Sequence, residues 1–272
     1  MVLHRQSARG QSALLSTELL AYYRQVSHAR LSVVDVETTG SLADKARVIE
    51  VSVLQASLAD GIQQQQTHLI NPGVRIPAQI TRITGITQPM IELAIAPEAI
   101  WPQYQTLLST GVLTAHNLAF DYSFLQSEYQ RLGIDYGRSP DQQFCTVLLS
   151  RLMLADLPSR RLPDLVEHFG FDVSTSHRAA ADTLACWYLA KHLLHQIQQE
   201  PDESLLKQFG RQWMRLKDAA KLLKRRQQEA YALLEAANLE VRLSYRSQKP
   251  LYRRGDVERV LWQQQGQQLS LL

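Results

Sequence analysis

Cysteine is scarce in this chain: Cys145 and Cys186 are the only two, and they form no Cys-x-x-Cys pattern. That excludes a disulfide framework and a cysteine-built zinc site, and it suits a reducing, intracellular setting. Also missing is any apolar run near the ~20 residues that a membrane-spanning helix needs. The charged opening Met1–Gly10 lacks an apolar core of signal-peptide length. A soluble, cytoplasmic protein is expected from these absences. Charge of one sign is lacking overall, since 29 Lys and Arg nearly balance 26 Asp and Glu. The balance is uneven along the chain: residues 1–202 carry 15 basic against 19 acidic side chains, and residues 203–272 carry 14 against 7. Between these regions Gln198-Gln199-Glu200-Pro201-Asp202-Glu203 is polar and holds a proline, the composition of a boundary. At 272 residues and 45% hydrophobic content, the chain has room for one large domain and a small appendage. The expected division is an N-terminal helical extension over 1–29, a main domain over 30–200 and a basic module over 203–272.

The most informative stretch is Leu31-Ser-Val-Val-Asp-Val-Glu-Thr-Thr-Gly40. Its β-branched run ending in a turn signal predicts a buried strand. Asp35 and Glu37 interrupt that strand two residues apart, so both project from one face. Ionised carboxylates in a core are costly unless paired or bound to a cation, and a divalent metal would compensate both. On an edge strand the same two acids would simply be solvated.

Two further stretches carry chemistry. His116-Asn-Leu-Ala-Phe-Asp-Tyr-Ser-Phe-Leu125 follows the short apolar run Gly111–Ala115 and opens a helix. Asn117 is its cap candidate, and Asp121 falls in the first turn, where the helix dipole alone would favour an acid. Phe120 and Phe124, at helical spacing, suit a core face. Ser174-Thr-Ser-His177 leads into a second helical pattern, Ala181–Leu194, with Asp182 one turn in. Five positions are roughly 140° apart around a helix, so His177 and Asp182 share a site only if His177 lies on the preceding loop. A histidine is the usual general base near neutral pH, although a single one is more often a surface group.

Elsewhere, Ser16–Gln25 predicts a short helix covering the sheet, and Arg47–Ser57 and Ile62–Ile70 predict strands joined at Asp60-Gly61. Proline and glycine punctuate the segment from Asn71 to Thr87 so densely that an ordered loop with short helical turns is expected. Pro97–Ser109 has a helical pattern, and the Gln63–Gln66 run belongs on a solvated strand face.

The three blocks Val-Asp-Val-Glu-Thr-Thr-Gly, His-Asn-x-x-Phe-Asp-x-x-Phe-Leu and His-x-x-x-x-Asp occur in an order that resembles the DEDDh branch of the DnaQ-like 3′→5′ exonucleases, the superfamily of the DNA polymerase III epsilon subunit. The resemblance covers roughly Arg30–Leu194, and Asn71-Pro72-Gly73, Ile76-Pro77 and Thr84-Gly85-Ile86-Thr87 extend it, with Thr84 where many members carry His. It implies an RNase H-like α/β fold with a mixed five-stranded sheet flanked by helices. It also implies that Asp35, Glu37, Asp121 and Asp182 hold two Mg²⁺ or Mn²⁺ ions, hard cations that prefer oxygen ligands. Ions about 3.5–4 Å apart clamp a scissile phosphate, and by the same analogy His177 is the general base. Thr38, Thr39, Gly40, Thr84, Ile86, Asn117 and Phe124 are the implied contacts to the terminal nucleotide.

The basic region reads as two short helices, Leu216–Leu223 and Gln227–Asn238, then two strand-like segments around Arg246-Ser247-Gln248-Lys249-Pro250. From Lys-Asp-Ala-Ala-Lys-Leu-Leu to Leu-Tyr-Arg-Arg-Gly-Asp-Val-Glu it resembles excisionase-like and MerR-like winged helix-turn-helix domains, with Lys224-Arg225-Arg226 in place of the usual Gly-Val-Ser turn. Lys224, Arg225, Arg226, Arg242, Arg246, Lys249, Arg253 and Arg254 are candidates to meet phosphates, the reading that charge and pattern favour; a solvated basic face or a protein-docking module is the alternative. The expected activity is a metal-dependent 3′→5′ exonuclease releasing nucleoside monophosphates from DNA, with proofreading or repair beside a polymerase as its setting. Two alternatives stay open: an exoribonuclease trimming RNA 3′ ends, because the metals act on the phosphate and not the sugar, and a binding or polymerase-associated accessory protein with the nuclease fold as scaffold.

Overall fold

The computed structural model describes residues 13–173, 177–244 and 247–269. Residues 1–12, Ser174–Ser176 and Arg246, all named above, lie outside the described residues. The chain divides into two compact units, one of residues 25–147 with 159–195 and one of residues 1–24, 148–158 and 196–272.

In the first unit, β1 (Leu31–Thr38), β2 (Val48–Ser57), β3 (Gly61–Leu69), β4 (Val112–Ala115) and β5 (Gln143–Cys145) form one sheet in the order β3-β2-β1-β4-β5. β1 is therefore the middle strand and not an edge. It pairs antiparallel with β2 and parallel with β4, which makes the sheet mixed, the arrangement of an RNase H-like fold. Val33, Val34 and Val36 are buried with Val51, Val53 and Leu54 of β2. Every residue of β2 is buried, as a strand inside a sheet covered by helices should be. β3 sits at the edge, and Gln63–Gln66 lie on its exposed surface. Chain direction reverses at Gly61, whose φ of 71° is a left-handed value that glycine adopts without steric cost.

The segment punctuated by proline and glycine contains two short helices, α2 (Ala78–Thr84) and α3 (Gln88–Glu92), after α1 (Ser16–Ser27) near the start of the chain. Pro77 opens α2, and Gly85, with φ of 72°, ends it. Then come α4 (Pro97–Ser109), α5 (Leu118–Arg131), α6 (Thr146–Met153), α7 (Leu162–Phe169) and α8 (Ala179–Gln199). α8 is longer at both ends than the apolar spacing predicts: small residues hide its start, and a glutamine-rich tail carries it past the last apolar position.

In the second unit, α9 (Asp202–Gly210), β6 (Trp213–Arg215), α10 (Leu216–Leu222), α11 (Gln227–Ala236), β7 (Val241–Leu243), β8 (Pro250–Arg253) and α12 (Arg254–Leu269) build a small domain with a three-stranded sheet, β6-β8-β7. Its core gathers Met214, Ala219, Leu222, Leu223, Leu234, Tyr252 and Val257. The α10–α11 turn is made at Lys224, whose φ of 53° is the left-handed value that a glycine would usually supply. α1, expected to cover the sheet, belongs through Arg24 to this second unit. Its first residue, Ser16, donates from both backbone N–H and Oγ to Glu258 of α12 at 2.8 Å. The helices of the described residues include none long and apolar enough to cross a membrane.

Candidate active site

The site is built on β1, α5 and α8. On β1, Asp35 and Glu37 share one face, and a register shift between Glu37 and Thr38 ends the regular pairing with β2. Such a bulge twists a strand locally and re-aims the side chains beside it. The first turn of α8 brings in Asp182. Ligand-capable oxygens of Asp35, Glu37 and Asp182 all lie within 4.8 Å of one another. Asp121, in the first turn of α5, stands outside that set. It is buried, and its Oδ1 accepts the Val36 N–H of β1 at 3.3 Å, which ties α5 to the acid-bearing strand.

Four carboxylates in this space repel one another. Burial first, and then the charges of Asp121, Asp182, Glu37 and Glu50, push Asp35 well above the usual carboxylate range. Glu37 is pushed up to about 7, chiefly by burial and then by Asp182 and Glu50, with Arg178 acting in the opposite sense. Asp121 is raised to about 8 by burial, against the pull of its backbone hydrogen bonds. Burial also raises Asp182, with the His177 backbone N–H and ring countering it. Oxygen donors of one sign that are hard to ionise together suit a hard divalent cation, which would supply the missing positive charge. The donor set fits such an ion.

His177 lies in the turn before α8, where both it and Asp182 can face one site. It is exposed, its φ is 68°, and its backbone N–H donates to Asp182 Oδ2 at 3.0 Å. Asn117 occupies the N-cap position of α5 with a left-handed φ of 77°, but its side chain makes no capping hydrogen bond, so the expected cap is corrected to a backbone role. The loop after β1 is firmly held: Thr38 Oγ1 donates to the Gly40 carbonyl at 2.7 Å, and Thr39 Oγ1 accepts the Arg47 N–H at 2.9 Å.

Three residues expected at the terminal nucleotide are enclosed in protein instead. Phe124 is fully buried and packs on Phe120 with ring centroids 4.9 Å apart. Ile86 belongs to an apolar cluster with Ile49, Ile76 and Ile91. The Thr84 hydroxyl donates to the Ile80 carbonyl and accepts the Ile86 N–H, which completes the end of α2. In the second unit Lys224, Arg225, Arg226, Arg242 and Lys249 are exposed. Arg253 stacks over the Trp213 ring at 4.0 Å. Arg254 is buried and donates to Gln212 Oε1, the Leu14 carbonyl and Glu258, so it is a structural arginine and not a phosphate contact.

Sequence reasoning passed over Glu50 and Arg178. Glu50 is 1% exposed on β2, directly opposite Glu37, and forms an ion pair with Arg178 at 2.6 Å. The available signal was an acid in the otherwise apolar run Val48-Ile49-Glu50-Val51, because a buried acid demands a partner.

Residues 32–190 match the RNase_T family, described as Exonuclease. The chain belongs to the RNase_T exonuclease family. This RNase_T chain is 29% identical over 191 residues to the DNA polymerase III PolC-type of Clostridium perfringens, covering 70% of its own length and 13% of the relative. It is 30% identical over 165 residues to the DNA polymerase III PolC-type of Oceanobacillus iheyensis, covering 61% and 11%. It thus spans about an eighth of the length of these relatives. Among solved structures, E. coli Exonuclease I in complex with a dT13 oligonucleotide has a TM-score of 0.55 at 18% identity, over 60% of this chain and 40% of that one. Cell-death related nuclease 4 (CRN-4) has a TM-score of 0.51 at 15% identity, over 61% and 64%. Both are likenesses of fold. Exonucleases of the RNase_T family typically use divalent metals, in keeping with the acidic cluster of Asp35, Glu37 and Asp182.

Proposed function

We propose that this protein is a 3′→5′ exonuclease that hydrolyses the terminal phosphodiester bond of DNA and releases nucleoside 5′-monophosphates. The observation that carries the reading is the convergence of Asp35, Glu37 and Asp182 within 4.8 Å, on a central strand and a helix start. Asp35, Glu37, Asp121 and Asp182 would hold Mg²⁺ or Mn²⁺, and such ions would supply activation of the attacking water and stabilisation of the leaving 3′ oxygen. Asp121, fixed to the Val36 N–H, serves from the α5 side with one oxygen already committed. His177 takes the proton from the attacking water at a ring nitrogen, the usual part of a histidine acting as general base. Thr38, Thr39, Gly40 and Asn117, at the strand end and helix start beside these acids, contact the terminal nucleotide. The module after residue 202 holds nucleic acid through Lys224, Arg225, Arg226, Arg242 and Lys249, in the manner of a winged helix-turn-helix. DNA is favoured over RNA because the relatives are named as DNA polymerase III and Exonuclease I carries a dT13 oligonucleotide. A polymerase is the proposed protein partner on the same ground.

The test is digestion of matched 5′-labelled single-stranded DNA, recessed-3′ duplex DNA and RNA, with Mg²⁺, Mn²⁺ or chelator, comparing wild type with Asp35→Ala. A metal-dependent ladder shortening from the 3′ end, strongest on DNA and absent in the variant, is expected. Folded wild-type protein that yields no ladder with either metal would overturn the reading, and a ladder on RNA alone would replace the substrate.

A further inference from the structure

Glu50 is a buried acid that the chemistry above does not use. It faces Glu37 across the β1–β2 ladder, where like charges oppose each other, so its retention calls for a reason. Its carboxylate is fully engaged. Oε1 accepts Arg178 Nη2 at 2.6 Å and Nε at 3.2 Å, while Oε2 accepts the Ala179 N–H at 2.9 Å and shares the Nε donor at 3.2 Å. One carboxylate therefore grips a guanidinium and the first backbone N–H of α8 together. The neighbouring strand adds a third tie, because Gln65 Nε2 of β3 donates to the Ala180 carbonyl at 2.9 Å and to Ser52 Oγ at 3.2 Å. These bonds fasten residues 178, 179 and 180, and the two groups the reaction needs flank them: His177 on one side and Asp182 on the other.

A second observation points the same way. His177 has a φ of 68°, a left-handed value that a β-carbon-bearing residue adopts at a cost, and its N–H bonds to Asp182 Oδ2. An unfavourable backbone conformation persists when the surroundings over-determine it, and such residues cluster at functional sites. From this geometry we infer that Glu50 is a positioning residue: through Arg178 and the Ala179 N–H it fixes the start of α8, so that His177 and Asp182 meet the β1 acids in working register. Arg178 has a dual part. It neutralises the buried Glu50 at 2.6 Å, and it directly precedes the α8 residue whose N–H the same carboxylate accepts.

This inference rests on the nuclease reading, and the test keeps the two apart. Glu50→Gln keeps the shape but weakens the grip, Arg178→Met removes the cation, and the double variant Glu50→Gln/Arg178→Met removes both charges. Glu50 is buried while Arg178 is part-exposed, so Arg178→Met alone leaves a buried charge without its partner, and the double variant, which removes both charges, avoids that cost. Each is compared with wild type by thermal melt, by kcat and KM on a single-stranded oligonucleotide, and by calorimetric titration with Mn²⁺ alone. In the double variant the melt stays close to wild type, kcat falls roughly 10–100-fold, as for residues that orient a ligand, and Mn²⁺ affinity weakens by a similar factor. KM stays within about threefold, the pattern of a group acting on the reaction and not on uniform binding. The single and double variants lose similar amounts, because both substitutions break one route. A folded double variant with wild-type kcat and wild-type Mn²⁺ affinity overturns the inference. Wild-type protein that binds Mn²⁺ and cleaves nothing overturns the nuclease reading, and the Mn²⁺ titration still decides the role of Glu50.

Discussion

Asp35 is where the most charge converges, and Asp35→Asn keeps its shape while removing that charge. The substitution is expected to lower exonuclease activity by more than the roughly 10–100-fold typical of losing a group that merely supports a ligand, as read from single-turnover cleavage. The same acids make stability depend on pH. Glu37 rises from an ordinary 4.5 to about 7 and Asp121 from 3.8 to about 8 on folding, both chiefly through burial. Folded values above unfolded ones mean that protonation favours the fold. The contribution is therefore full below the unfolded values and is lost as pH climbs through about 7 for Glu37 and about 8 for Asp121. Metal-free protein should melt at a lower temperature at about pH 9 than at about pH 6, and the fall should be smaller in Asp35→Asn, which has one charge fewer to repel. Calorimetric melts in chelator would check this, and a melting temperature that rises over that interval would contradict it. Ile86 belongs to packing alone: Ile86→Ala should cost about 2–4 kcal/mol in urea unfolding, the usual loss for an enclosed aliphatic side chain, with kcat of the folded protein unchanged.

Among the elements, β1 is the most legible. A two-residue side-chain period is enough to place Asp35 and Glu37 on one face, and the middle position of the strand follows from its near-continuous apolar run. The short helices α2 and α3 are legible only as turns, because Pro77 and Gly85 bracket a segment too short to show periodicity. Of the Glu50–Arg178 pair only the acid leaves a trace in its apolar run; its partner cannot be read, because the two lie 128 positions apart and only the topology joins them. The enclosed positions of Thr84 and Ile86 are not legible because a motif gives the neighbourhood of a residue and not the direction of its side chain, whereas the helical spacing of Phe120 and Phe124 already suits the core face on which Phe124 is buried. In the second unit the predicted helices and strands are present, with Lys224 bending the backbone where glycine is usual. On the exposed turn, Lys224→Ala/Arg225→Ala/Arg226→Ala should weaken binding of the full chain to DNA and flatten the log Kd against log salt plot by about 0.7–0.9 for each phosphate that these cations neutralise. Fluorescence anisotropy across a salt series would test it; an unchanged slope would assign these side chains to solubility.

At the scale of the whole molecule, a cation held by the acidic cluster would link binding to folding. An ion that binds only the native state at 100 times its Kd adds about 2.7 kcal/mol of stability, so Mg²⁺ or Mn²⁺ should raise the melting temperature of wild type, most clearly above neutral pH, and should do so weakly in Asp35→Asn. Differential scanning fluorimetry over a metal series would show it. The acids that make this linkage come from opposite ends of the first unit. Asp35 stands on the first strand of the sheet to leave the ribosome, whereas Asp182 and its helix are synthesised 147 positions later, and β4, the parallel neighbour of β1, arrives between them. A growing chain thus carries its first two carboxylates for some time before the residues that complete the cluster are made. On the nuclease reading proposed above, nascent and prematurely terminated chains that stop short of α8 should therefore not cleave the nucleic acid around them, and hydrolytic capacity would switch on only when the last helix of the sheet unit docks.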